Sequence, residues 1–163
     1  MVPFGPPQAS DDDVERVRDL YRRLVERVGE PGHLGAEVDA LTPGERALYV
    51  LMTAVELVGS GGFEQFFYER PELALAAATS AKLVKARKFM AIFEQANAIA
   101  FVEPPRKRAV SEFRRMLKAV ESSADELARL DTELDALMAN SATRIEALLL
   151  RYIQGAPQEF ADV

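Results

Sequence analysis

The chain has 163 residues, enough for one domain with a substantial core. It contains no cysteine, which excludes disulfides, thiolate metal sites and a cysteine nucleophile and suits a reducing compartment. A formal net charge of −6 weighs against nonspecific binding to DNA or to an anionic membrane, and no apolar run reaches the ~18 residues of a membrane-spanning helix.

Met1 to Gln8 holds three prolines, no positive charge and no long apolar core. Residues 1–9 are therefore expected to be a disordered lead rather than a secretory leader, in a cytoplasmic protein. Ser10 followed by Asp11, Asp12 and Asp13 predicts a helix start, with a cap and three carboxylates at the positive end of the helix dipole. Val14, Val17, Tyr21, Leu24 and Val28 step by three and four along this helix, and Leu20 and Val25 widen the stripe. Asp19 and Arg23 are spaced as an i,i+4 pair. Gly29 and Pro31 end the helix, and His33 falls in the loop that follows. One histidine is too few for a metal site, so it is read as an exposed loop residue.

Thr42-Pro43-Gly44-Glu45 combines a capping box with proline at the first helical position. The helix it opens is apolar nearly all round, through Leu48, Leu51, Met52, Val55 and Val58, and is expected to be the central one. It runs into Gly59-Ser60-Gly61-Gly62, which predicts a corner. Phe63, Phe66 and Phe67 then mark one face of a following helix. Beyond Pro71, Glu72 to Ala78 reads as a short run, Thr79-Ser80 as a break or a cap, and Lys82 to Phe101 as a long helix. Glu103-Pro104-Pro105 stops it. Lys107 to Val120 reads as a helix with Val110, Phe113, Leu117 and Val120 inward. Ser123-x-x-Glu126 predicts a capping box ahead of Leu127, Leu130, Leu134 and Leu137. A last helix carries Ile145, Leu148, Leu149, Tyr152 and Ile153 and ends at Gly155 and Pro157. No strand alternation occurs. The expected fold is all-α: a single compact bundle of about six to eight helices over residues 10–155, with residues 156–163 as a C-terminal tail.

Charge is unevenly spread. Residues 121–139 hold Glu121, Asp125, Glu126, Asp131, Glu133 and Asp135 against Arg129 alone. Residues 106–118 hold Arg106, Lys107, Arg108, Arg114, Arg115 and Lys118 against Glu112. Such segments read as solvated helix faces or as a dipolar surface that selects a charged partner. The acidic candidates for a binding surface are Asp125, Glu126, Asp131, Glu133 and Asp135.

Little in the sequence points to catalytic chemistry. The glycines at 59–62 lack the Gly-Lys-Ser/Thr of a phosphate loop, no dinucleotide fingerprint occurs, and nothing around Ser60 resembles a nucleophile elbow. One constellation remains at the corner: Glu56, Ser60, Gln65 and Tyr68. If Glu56 is buried it must be hydrogen-bonded or have a raised pKa, and a turn amide, Gln65 or Tyr68 can supply the bond. It reads either as a satisfied polar core or as a small pocket for a ligand or a partner side chain.

The stretch Ser60-Gly61-Gly62-Phe63-Glu64-Gln65-Phe66-Phe67-Tyr68-Glu69 resembles the signature of the DNA-mimic-protein-nineteen-like family, roughly Asn-Gly-Gly-Phe-x-Gln-Tyr-Phe-Tyr-Asn. Gly61, Gly62, Phe63, Gln65, Phe67 and Tyr68 match, while Ser60, Phe66 and Glu69 depart. The family's carboxylate before the glycines falls at Leu57, beside Glu56. With the Thr42 to Glu45 helix start and the Leu148 to Ile153 close, the resemblance covers about residues 40–155. It implies an all-helical, dimeric, cytoplasmic bacterial protein. The family's namesake is a DNA mimic whose acidic surface occupies the DNA-binding face of a helix-turn-helix repressor. The expected function is therefore a noncatalytic protein-binding domain, without cofactor or metal, that modulates a DNA-binding regulator and touches neither nucleic acid nor membrane itself. Binding contacts at the corner would come from Glu56, Ser60, Gly61, Gly62, Phe63, Gln65 and Tyr68. Two other readings stay open: a small-molecule or enzymatic pocket at the corner, and an immunity or antitoxin-like protein.

Overall fold

A computed structural model describes residues 9–29, 36–101 and 110–163 of the chain. The loop with His33, the proline stop at 104–105 and the basic residues Arg106, Lys107 and Arg108 lie outside the described residues, as do the side chains of Val110 and Glu112. Among the described residues the fold is all-α. Its helices are α1 (Asp11–Val28), α2 (Ala36–Asp39), α3 (Pro43–Glu69), α4 (Ala74–Leu83), α5 (Arg87–Ala100), α6 (Val110–Ser122), α7 (Ala124–Met138) and α8 (Ile145–Gly155).

α3 is the axis of the bundle and packs against α1, α2, α4, α6, α7 and α8. Its run from Ala47 to Val55 is buried without interruption, as expected of a helix apolar on every face. Its start forms the capping box. Thr42 Oγ1 accepts from the Glu45 amide at 3.2 Å, and Glu45 Oε1 accepts from the Thr42 amide at 3.0 Å. Ser10 and Asp13 cap α1 in the same reciprocal way. Past the corner, Phe63, Phe66 and Phe67 are fully buried and meet Phe93 and Phe101 in tilted and edge-on pairs with centroids 5.6 to 6.3 Å apart.

Several boundaries differ from the sequence reading. α4 runs through Thr79-Ser80 to Leu83, and the break comes at Val84–Ala86, where Lys85 adopts φ +60°. No glycine or proline marks that site, so nothing in the sequence announces it. Ser123 makes no side-chain cap bond, because its φ and ψ of −120° and 26° are not those of a capping residue. Asp19 pairs with Arg22 rather than Arg23, and Val25 is 39% exposed. The segment set aside as a tail packs down: Pro157–Phe160 forms a 3-10 turn whose Phe160 is buried against Tyr152 and Gly44.

Candidate functional site

The corner lies inside α3. Helical geometry fails at Gly61 (φ −147°, ψ 19°) and Gly62 (φ 76°, ψ −179°) and resumes at Phe63. A restarted helix exposes amides with no partner one turn back. α7 supplies one: the Phe63 N–H donates to Asp131 Oδ1 at 2.8 Å. Space is tight enough that a Cβ on Gly62 would sit 2.5 Å from Asp131 Oδ2. Partial burial pushes the Asp131 carboxyl up, the Phe63 N–H pulls it down, and the nearby charges of Asp135 and Glu64 push it up again; the net direction is up.

This exchanges two expected roles. Asp131, read as part of an acidic surface, is the carboxylate that fixes the corner. Glu56, read as the corner carboxylate, is exposed and has no hydrogen bond or ion pair among the described residues. Glu56, Gly59 and Ser60 follow at spacings of three and one, and share the outward side of the last turn before the kink, where α3 emerges from the core. Gln65 donates to Glu69 at 3.0 Å, and Tyr68 is 74% exposed. Gly61, Gln65 and Tyr68 do come together, in an open cleft of about 360 Å³ whose opposite wall is Leu117, Val120 and Glu121 of α6. Glu64 stands at its edge, while Glu56 and Ser60 are not part of it.

The remaining acidic candidates, Asp125, Glu126, Glu133 and Asp135, are exposed along α7. Among the described residues only Glu133 of these is paired, with Arg129 at 2.9 Å. The buried stripe Leu127, Leu130 and Leu134 fixes the orientation of this helix and keeps those four carboxylates in solvent.

A polar cluster at the α1–α3 contact escaped the sequence reading. Arg70 Nε donates to Glu72 at 2.6 Å and its Nη1 to the Tyr49 hydroxyl at 3.0 Å, while its buried Nη2 has no partner among the described residues. Tyr21 and Thr53 hydroxyls bond at 2.9 Å beside it. Burial outweighs that bond and pushes the Tyr21 hydroxyl up to about 12. The five partners come from positions 21, 49, 53, 70 and 72, and no single local spacing joins the three stretches. Among the described residues no group of three or more His, Cys, Asp or Glu is placed to hold a metal ion, and no helix is long and apolar enough to cross a membrane.

The family model described as DMP19-like protein matches residues 39–156. The chain belongs to the DMP19-like family. Comparisons with curated proteins and with solved structures returned no match. The part of the chain matched to the DMP19-like family runs from just before the Thr42 capping box, through the glycine kink and its Asp131 partner, to the end of α8. The expected span of about 40–155 agrees with it.

Proposed function

We propose that this DMP19-like domain is a noncatalytic binding protein whose α7 face holds a basic surface of a partner protein, that of a helix-turn-helix regulator in the first instance. The observation that carries this reading is the exposure of Asp125, Glu126, Glu133 and Asp135 on one helix with a single arginine among them. Such a field attracts the cationic side that a regulator turns to DNA, and it falls off with salt. The cysteine-free composition supports a reducing, cytoplasmic setting.

The test is competition. Purified protein is titrated into complexes of labelled operator DNA with each of a panel of helix-turn-helix regulators at low ionic strength. DNA released from at least one regulator, and retained when Glu126, Glu133 and Asp135 are changed to lysine, is the expected result. No release from any regulator, or equal release by the reversed variant, would refute the proposal.

The cleft beside Tyr68 favours a second reading, a pocket for a small molecule. A ligand there would perturb Tyr68 and be lost in Tyr68→Ala, while reversal of the α7 charges would leave it in place.

A further inference from the structure

Two cavities adjoin at the α4–α5 junction. One, of about 210 Å³, lies among Arg87, Lys88, Phe89 and Leu137; the other, of about 320 Å³, lies among Leu83, Arg151 and Tyr152. Lys85 and Leu148 belong to both. Neither wall contains a carboxylate side chain. Lys85, Arg87, Lys88 and Arg151 are all exposed, and none has a hydrogen bond or ion pair among the described residues. The floor is largely apolar, with Phe89, Leu137, Leu148 and Tyr152 in it, and Leu83 beside it is 39% exposed.

The ridge between the cavities is strained. Lys85 is the one non-glycine residue with positive φ among the described residues, at 60°. A side chain in that region costs about 1 kcal/mol or more, and strain of this kind collects at functional sites. The Ala86 amide bonds the Ala81 carbonyl at 2.8 Å and the Lys85 amide bonds Lys82 at 3.1 Å, so the turn is held in place around the lysine.

We propose that this groove binds an acidic, amphipathic peptide segment of a partner protein, with an apolar side chain in each cavity and carboxylates over Lys85, Arg87, Lys88 and Arg151. Two open lobes split by a lysine suit the spaced side chains of a peptide better than one small ligand, which is normally buried over most of its surface. A nucleic acid is a poorer fit. Its phosphate backbone carries no apolar side chains for the two cavities, and with Phe89 buried and Tyr152 half-buried neither ring is an open platform for bases. The cations involved lie on α5, on α8 and in the turn between α4 and α5, and Leu137 is the α7 residue in the wall, so this site stands or falls independently of the α7 carboxylates proposed above.

The experiment is fluorescence anisotropy on the full chain with a labelled peptide in which leucines recur every third or fourth position between glutamates. Saturable binding that weakens with salt is expected. Lys85→Glu with Arg151→Glu should weaken it by about tenfold or more, given the cost of opposing charges at a contact. Arg87→Glu with Lys88→Glu should do the same without touching the strained position, and Arg114→Glu with Arg115→Glu on α6 should change it little. A labelled all-glutamate peptide of equal charge should bind more weakly. Four outcomes would overturn the proposal: equal binding of the all-glutamate peptide, equal losses from the α6 pair, tighter binding of a labelled DNA oligonucleotide, or groove reversals that alter only self-association by light scattering.

Discussion

Position 62 leaves no room for a methyl group, and its φ of 76° lies where side chains are strained. Gly62→Ala is expected to cost about 2 kcal/mol or more, measured as a drop in urea midpoint at unchanged slope. Asp131→Ala removes the cap of Phe63 and should cost about 1–2 kcal/mol. Asp131→Asn keeps an acceptor and removes the charge. A carboxyl whose folded pKa lies above its unfolded value binds its proton more tightly when folded, so its charge disfavours folding above that pKa and the penalty fades in acid. Asp131→Asn should therefore be at least as stable as the parent at about pH 7, with an advantage that shrinks as the pH is lowered to about 4. The glycines and phenylalanines of this corner were legible as a local pattern. Their carboxylate was not, because it arrives from 68 residues away.

At the scale of elements, periodicity and capping located α1, the start of α3, and α8 well, since each is fixed by residues a turn apart. The α4–α5 boundary failed because a lysine occupies a conformation that glycine ordinarily announces. Lys85→Gly should relieve that strain and raise stability by about 0.5–1 kcal/mol, read as a higher melting temperature. The C-terminal turn was misjudged for a different reason: its partners lie at the far end of the sequence. Glu159 accepts from the Gly44 amide at 2.9 Å, and Thr42 donates to the Glu159 carbonyl at 2.8 Å, so the turn helps close the first turn of α3. Deleting residues 156–163 exposes the Phe160 site and frees those bonds, with an expected loss of about 2–4 kcal/mol in chemical denaturation. Beside them, burial alone would push the Glu45 carboxyl up, but Arg27 at 2.9 Å and the Thr42 amide outweigh it and the net shift is down. That contribution is present above the ordinary carboxylate range and is lost as the pH falls through the lowered folded value.

For the whole molecule, composition and the absence of strand alternation were enough to give an all-helical bundle, and the central helix was evident from its nearly continuous apolar run. Which charges face outward was only half legible. A helix's apolar stripe tells which residues leave it, but not that Asp131 would be drawn inward by an amide on another helix. The result is a difference among carboxylates close in sequence: Asp131 holds the kink, while Glu126, Glu133 and Asp135 stay in solvent. One titration separates the two roles. Parent, Asp131→Asn and the triple Glu126→Lys, Glu133→Lys, Asp135→Lys variant are each added to the same regulator–DNA complex, after circular dichroism has established that all three are folded. Release of DNA by the parent and by Asp131→Asn, with none by the triple variant, is the predicted result; release by the triple variant together with loss in Asp131→Asn would contradict it.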